Sequence, residues 1–174
     1  MSTFVAFLRG VNLGKRQMKM AELRAACEEL GLTAVKTIVA SGNVRFETES
    51  DKGLKPRLDA GLSATFGFPI EVILRSGAEI EAMLASAPFA GVDPQADVAL
   101  HVLLADVPLT PRPKLTDLPD HIEVARQDAR DIYFVAHLLP NGRYTEGLDK
   151  VGKHLPRGAL VTMRNWNTMA KLLG

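Results

Sequence analysis

The feature that most constrains the fold is a repeated switch of hydrophobic period along the chain. Thr3 to Leu8 is a short apolar run of strand length, the pattern of a strand buried in a sheet. Met20, Leu23, Cys27 and Leu30 then recur at helical spacing, with Gly31 behind them as a left-handed stop. Val35 to Ala40 and Val44 to Phe46 read as two strands joined by a tight turn at Ser41, Gly42 and Asn43. Leu54, Leu58, Leu62 and Phe66 mark a second helix ended at Gly67, and Ile70 to Leu74 a fourth strand. The order is β-α-β-β-α-β, the split-βαβ or ferredoxin-like plan.

The second half approximates the same order. Ser76 and Glu79 stand at capping-box spacing ahead of a helix with Ile80, Met83, Leu84 and Ala87 as its stripe. Val98 to Ala105 is a strand. A proline-rich connector from Pro108 to Pro113 leads toward a short helix around Lys114 to Leu118. Ile122 to Ala125 and Ile132 to Ala136 flank a polar turn and read as a hairpin. Leu148, Val151 and Leu155 suggest a helix, Leu160 to Met163 a strand, and Trp166, Met169 and Leu173 one side of a terminal helix. The expected fold is therefore α+β: two tandem ferredoxin-like units with a C-terminal helix. The first unit is expected over residues 1–76, a bridging helix and loop over 77–97, and the second unit with the terminal helix over 98–174.

Composition enters mainly by exclusion. The 174 residues are 47% hydrophobic and 24% charged, enough for a real core. A formal net charge of +1 provides no overall field toward nucleic acid or membrane, so any electropositive surface must be local. The single cysteine, Cys27, cannot form an internal disulfide, which fits a reducing cytoplasm. It falls on the apolar stripe of the first helix and reads as an inert core thiol. No basic segment precedes an apolar run at Met1 to Phe4, so no secretory signal is expected. No stretch reaches the ~20 apolar residues of a membrane helix. His101, His121, His137 and His154 are widely spaced, with no paired metal-ligand spacing.

Three polar strings carry the candidate chemistry. The loop from Gly10 to Lys19 follows a strand and precedes a helix. Free amides at a helix start attract anions, and Lys15, Arg16 and Lys19 put positive charge where the helix dipole disfavours it. Three residues separate its glycines and Arg16 follows the lysine, so it is not a Walker A loop. The same loop also reads as a solvated, solubilising segment. Arg9, directly after an apolar strand, needs a partner once buried, and a carboxylate or a ligand would both serve. The turn at Ser41, Gly42 and Asn43 reads either as an ordinary turn or, beside Arg9, as a small anion nest. Arg164, Asn165, Trp166, Asn167 and Thr168 hold the only tryptophan between two asparagines. Asn165 reads as a helix N-cap. Trp166 either packs in the core or offers a stacking face, with Arg164 and Asn167 as donors. The β-α-β-β-α-β order is shared with RNA-recognition modules, but Val44 to Glu47 lacks their aromatic pair.

Read together, these strings resemble the domain of unknown function 1697 family of mostly bacterial proteins. The resemblance rests on Leu8, Arg9, Gly10, Val11, Asn12, Leu13 and Gly14; on Met20, Ala21, Glu22, Leu23 and Arg24; on Ser41, Gly42, Asn43 and Val44; and on Arg164 to Thr168. Ala87, Pro88 and Phe89 sit where that family often has Asn-Pro-Phe. The resemblance spans nearly the whole chain and implies a compact α+β protein with ferredoxin-like units. It implies no activity and supplies no site residues. One departure stands out: where the family often shows Ser-Lys-Leu-Thr, this chain has Thr145, Glu146, Gly147, Leu148, Asp149 and Lys150.

The leading expectation is a cytoplasmic protein that binds an anionic small molecule or nucleotide at the junction of its two units. The residues expected to do so are Arg9, Asn12, Lys19, Ser41, Asn43, Arg164, Trp166 and Asn167. Two alternatives stand beside it. One is an enzyme acting on a phosphorylated ligand by positioning and electrostatics, without a side-chain nucleophile. The other is a nucleic-acid or protein interaction module, of which the nucleic-acid form gets no support from the net charge. No cofactor, metal or membrane partner is expected, and the oligomeric state is not encoded.

Overall fold

The computed structural model describes residues 1–11, 17–38 and 42–174. Asn12 and Ser41 therefore lie outside the described residues. The first expected strand is β1, Ser2–Arg9; it is followed by α1, Met20–Glu29, then β2, Thr33–Ile38, and β3, Asn43–Thr48. Helix α2, Leu54–Phe66, leads to β4, Glu71–Ser76, and α3, Gly77–Ala85. The remaining elements are β5, Val98–Ala105; β6, Ile122–Gln127; β7, Asp131–His137; a 3-10 helix, Leu148–His154; β8, Val161–Asn165; and α4, Trp166–Met169. The fold is α+β, with two four-stranded antiparallel sheets ordered β2-β3-β1-β4 and β6-β7-β5-β8.

The chain divides into two compact units, one of residues 1–82 with 170–174 and one of residues 83–169. In the first, the apolar stripes of α1 and α2 cover one face of the sheet. Leu23, Ala26 and Cys27 from α1 and Leu54, Leu58 and Leu62 from α2 pack with Ala6, Leu8, Val44, Phe46 and Val72. Helix α1 ends as the sequence requires. The amides of Gly31 and Leu32 donate to the carbonyls of Glu28 and Cys27, with Gly31 at φ +86°, a Schellman stop. Gly61 has a packing reason to sit in mid-helix. A Cβ there would come within 2.6 Å of a Leu30 methyl, so the missing side chain lets α1 and α2 approach. The capping box is also formed: the Ser76 amide donates to Glu79 Oε2 at 2.7 Å and the Glu79 amide to Ser76 Oγ at 3.1 Å.

In the second unit, Leu103, Ala105, Ile132, Phe134 and Ala136 form the inner face of the sheet, packed by Leu148 and Val151 of the 3-10 helix. Two expected helices come out differently. Residues 113–116 take no regular structure, although a short helix is expected around Lys114 to Leu118. Four prolines between 108 and 119 remove amide donors and restrict their predecessors, so the segment covers the core as irregular chain through Leu109, Leu115 and Leu118. The terminal helix is one turn long, and Leu172, rather than Leu173, is the fully buried residue beyond it. Among the described residues, no helix is long and apolar enough to cross a membrane.

Candidate functional site

Where the first two polar strings are described, Val11 and Gly42 meet at one end of the first sheet. Strand β1 pairs with β3 so that Phe7 stands opposite Asn43, and the Leu8 amide donates to the Gly42 carbonyl at 2.8 Å. Gly42 has φ +80°, and a Cβ on it would lie 3.1 Å from both Leu8 Cβ and Val11 Cγ2. This turn therefore needs glycine for its conformation and for the close approach of the β1 end. Asn43 is fully buried, and its Nδ2 donates to the Ile38 carbonyl at 3.1 Å, tying the end of β2 to the start of β3. Arg9 is exposed at the end of β1, opposite Glu71 of β4. Lys19 is exposed at the N-cap position of α1, with no side-chain capping bond. Of the residues expected at a site in this unit, Arg9 and Asn43 thus stand at the same sheet end, Arg9 on its surface and Asn43 inside it.

The third string folds in the second unit around an aromatic cluster. Trp166 packs edge-to-face on Phe89, with ring centroids 5.4 Å apart, and on Tyr133 at 5.7 Å. Phe89 and Tyr133 complete the triangle at 5.8 Å. Each such pair contributes about 0.5–1.5 kcal/mol beyond area burial. Ala87 to Phe89 and Arg164 to Thr168 are thereby joined, although about 75 residues apart. Arg126 caps the cluster, its guanidinium carbon 4.7 Å from the Tyr133 ring centroid and its Nη2 donating to Ser86 Oγ at 2.9 Å. Arg164 turns back along its own strand, donating from Nη1 to Thr162 Oγ1 at 2.6 Å and to the Met163 carbonyl at 3.0 Å. Burial pushes its pKa down to about 10, which leaves it charged at neutral pH. Asn165 accepts the Asn167 amide at 2.8 Å through Oδ1, the N-cap that its position in sequence suggests.

This arrangement leaves an open cleft. A cavity of about 510 Å³ is bounded by Phe89, Asp93, Leu100, Tyr144, Asn165 and Asn167, among others. It lies where β8 gives way to α4, opposite the first residues of β5. Among the described residues, the side-chain amide of Asn167 and the Nδ2 of Asn165 have no hydrogen-bond partner, so both asparagines present unused donors. Tyr144 donates a short hydrogen bond to Asp97 Oδ1, which raises the tyrosine pKa. A second cavity, of about 560 Å³, shares Ala99 and Tyr144 with the first and is lined further by His101, Arg143, Thr145, Glu146 and Asp149. His101 stands opposite Asn165 in the β5–β8 register. Burial lowers its pKa, so its ring is neutral at pH 7, and its buried Nδ1 has no hydrogen-bond partner.

Sequence reasoning placed Asn167 at a site but passed over Asp97, His101 and Tyr144. A usable signal existed for Tyr144: an aromatic residue two positions after a polar Asn141–Gly142 turn. None existed for Asp97, whose partner Tyr144 is distant in sequence, or for His101, whose setting comes from the β5–β8 register. Among the described residues, no group of three or more His, Cys, Asp and Glu is placed to hold a metal ion.

Comparison with known proteins bears on the fold. Residues 1–133 match the family described as "Protein of unknown function (DUF1697)". No curated protein matches the chain. Among solved structures, the chain is similar to the conserved bacterial protein SP0830 from Streptococcus pneumoniae. The TM-score is 0.70 at 22% identity, covering 99% of this chain and 96% of that one. The family match covers well over half of the chain and includes the quoted strings from Leu8 to Val44, though not Arg164 to Thr168: this protein belongs to the DUF1697 family.

Proposed function

We propose that this protein binds a small polar molecule in the cleft bounded by Phe89, Asn165 and Asn167. The observation that carries the reading is the pairing of an aromatic wall with two asparagine amides at an open cavity. Phe89, 9% exposed, offers a small apolar area whose position Trp166 and Tyr133 fix. Asn165 and Asn167 offer hydrogen bonds without charge, suited to a base edge, an amide or a sugar hydroxyl. Asp93 borders the cleft, and Asp97 holds Tyr144 beside it. Those carboxylates disfavour a bare phosphate. Within the nucleotide expectation, the geometry therefore favours the base and sugar as the recognised part. Arg9 and Lys19, exposed on the first unit, stay candidates for an anionic group.

The enzyme alternative gains one observation, the phenol of Tyr144 hydrogen-bonded to Asp97 beside the cleft, a pair able to move a proton. As to architecture, we propose that both units follow the ferredoxin-like plan. The matching strand orders β2-β3-β1-β4 and β6-β7-β5-β8 support this, with the first helix of the second unit replaced by the proline-rich segment.

The test is a titration of the protein with inorganic phosphate, nucleosides and nucleotides, read by the emission of its single tryptophan. Nucleosides and nucleotides should shift Trp166 emission alike, phosphate should not, and Asn167→Ala should weaken the response. A response to phosphate as large as that to nucleotides would overturn the assignment of this cleft.

A further inference from the structure

The cavity beside the asparagine cleft has a different chemistry. Its lining carries one guanidinium, Arg143, and two carboxylates, Glu146 and Asp149, together with the hydroxyl of Thr145 and the ring of His101. Arg143, Glu146 and Asp149 are all exposed, and ion pairs between exposed groups contribute little, so these charges are open to an outside partner. Here, among the described residues, neither the Arg143 guanidinium nor the Asp149 carboxylate has an ion-pair or hydrogen-bond partner. Glu146 keeps one oxygen uncommitted, since only Oε2 accepts from Asn141 Nδ2, at 2.9 Å.

The loop that presents these groups is held in place along its length. The Arg143 amide donates to Asn141 Oδ1 at 3.0 Å, and the Leu139 amide donates to the Arg143 carbonyl at 2.8 Å. Tyr144 is tied to Asp97. The ring of His121 lies 2.7 Å from the Glu146 carbonyl, which accepts its hydrogen bond. The Leu148 amide donates to the Thr145 carbonyl at 2.9 Å, starting the 3-10 turn that carries Asp149. Unpaired charges on a loop so fixed are preorganised for an outside partner. His101 adds an independent sign, a buried ring nitrogen without a partner on the wall of the same cavity.

A bare anion entering this cavity would meet two carboxylates, and a bare cation would meet the guanidinium. A molecule carrying both charges satisfies both. We infer that this cavity is a binding site for a small zwitterion of the α-amino-acid class, its carboxylate on Arg143, its ammonium on Asp149 and Glu146, with His101 on the adjoining wall. The segment Thr145 to Lys150 supplies both carboxylates. This site adjoins the asparagine cleft through Ala99 and Tyr144, but its charged groups are its own and the inference does not depend on what binds in that cleft.

The test uses the full chain with its histidine rings labelled with carbon-13, the His101 ring signal being assigned by its loss in His101→Gln. Glycine and alanine are titrated in, with acetate and methylammonium as single-charge controls. The amino acids should shift the His101 signal saturably. The controls should bind at least about tenfold more weakly, as should glycine to Arg143→Gln and to Asp149→Asn, each variant lacking one charge-assisted hydrogen bond. Arg143 and Asp149 are both exposed, so these variants should melt like the parent, which separates lost binding from lost fold. The proposal is overturned if no amino acid moves the His101 signal up to about 10 mM, the weak end of specific recognition. Equal responses to acetate, methylammonium and glycine would overturn it too. So would glycine moving Trp166 emission while leaving His101 unmoved, since the ligand would then sit in the neighbouring cleft.

Discussion

Asn165 is given two tasks by its geometry, and they can be separated by substitution. Its Oδ1 accepts the Asn167 amide at 2.8 Å and caps the turn that carries Trp166. Its Nδ2 has no partner among the described residues and borders the cleft. Asn165→Ala removes both groups. Loss of the cap should cost ~1 kcal/mol, the usual size for Asn to Ala at an exposed N-cap. For a chain of this length that is about 2–4 °C in melting temperature. Asn165→Asp keeps an oxygen at the cap and puts negative charge at the start of the turn, where it is tolerated. Its stability should stay within about 0.5 kcal/mol of the parent, as for most exposed substitutions. The Asp variant nevertheless loses the amide donor, so it should bind the cleft ligand as poorly as the Ala variant. Urea unfolding followed by Trp166 emission gives the stabilities, and titration of each variant gives the binding. If Asn165→Ala is as stable as the parent, the cap contributes nothing and the argument for this turn fails. If Asn165→Asp binds like the parent, the Nδ2 donor has no part in recognition.

Other expectations follow from particular positions. Gly42→Ala should destabilise by about 2–3 kcal/mol in urea unfolding, since it meets left-handed strain of ~1–2 kcal/mol and also crowds Leu8 and Val11 at 3.1 Å. Gly31→Ala, at φ +86° with nothing within 4 Å, should show the conformational cost alone, and equal losses at the two sites would refute the steric part. Cys27, buried with its thiol pKa pushed up to about 12 by desolvation and by Glu28, should react with a thiol reagent far more slowly in the native state than after unfolding. His101 binds its proton less readily when folded, so the unfolded chain takes up more protons near the ordinary imidazole pKa. Stability should therefore fall as pH drops below about 6.5, and His101→Gln should flatten that slope in urea unfolding measured from pH 5 to 8.

The parts of this fold that were legible in sequence are those governed by local period and capping. Val98 to Ala105 is a strand over the span its apolar run predicts, and Leu54 to Phe66 ends at Gly67 because only a residue tolerant of φ +76° closes that helix without strain. The Ser76–Glu79 pair formed both of its reciprocal bonds. Reading failed where several prolines met a weak apolar pattern, between Pro108 and Pro119. There, burial of Leu109, Leu115 and Leu118 substitutes for helical packing. The site was legible only in part. The string around Trp166 announced itself by composition, but its aromatic partners Phe89 and Tyr133 come from distant segments. The setting of His101 depends on the β5–β8 register, which pairs residues distant in sequence and which no local pattern encodes. Asn43 carried a polar signature for a different reason: its amide closes the link between β2 and β3 from inside the sheet.

The proposed ligand site is the cleft beside Phe89, Asn165 and Asn167. Amide and indole chemical-shift mapping of the nitrogen-15-labelled protein tests it most directly, with nucleosides and nucleotides added to saturation. Binding in this cleft should move the Trp166 indole signal and the amides of Phe89, Leu100, Asn165 and Asn167 together, saturating with one affinity. Shifts confined to Arg9, Gly10 and Lys19, with the Trp166 indole unmoved, would contradict it.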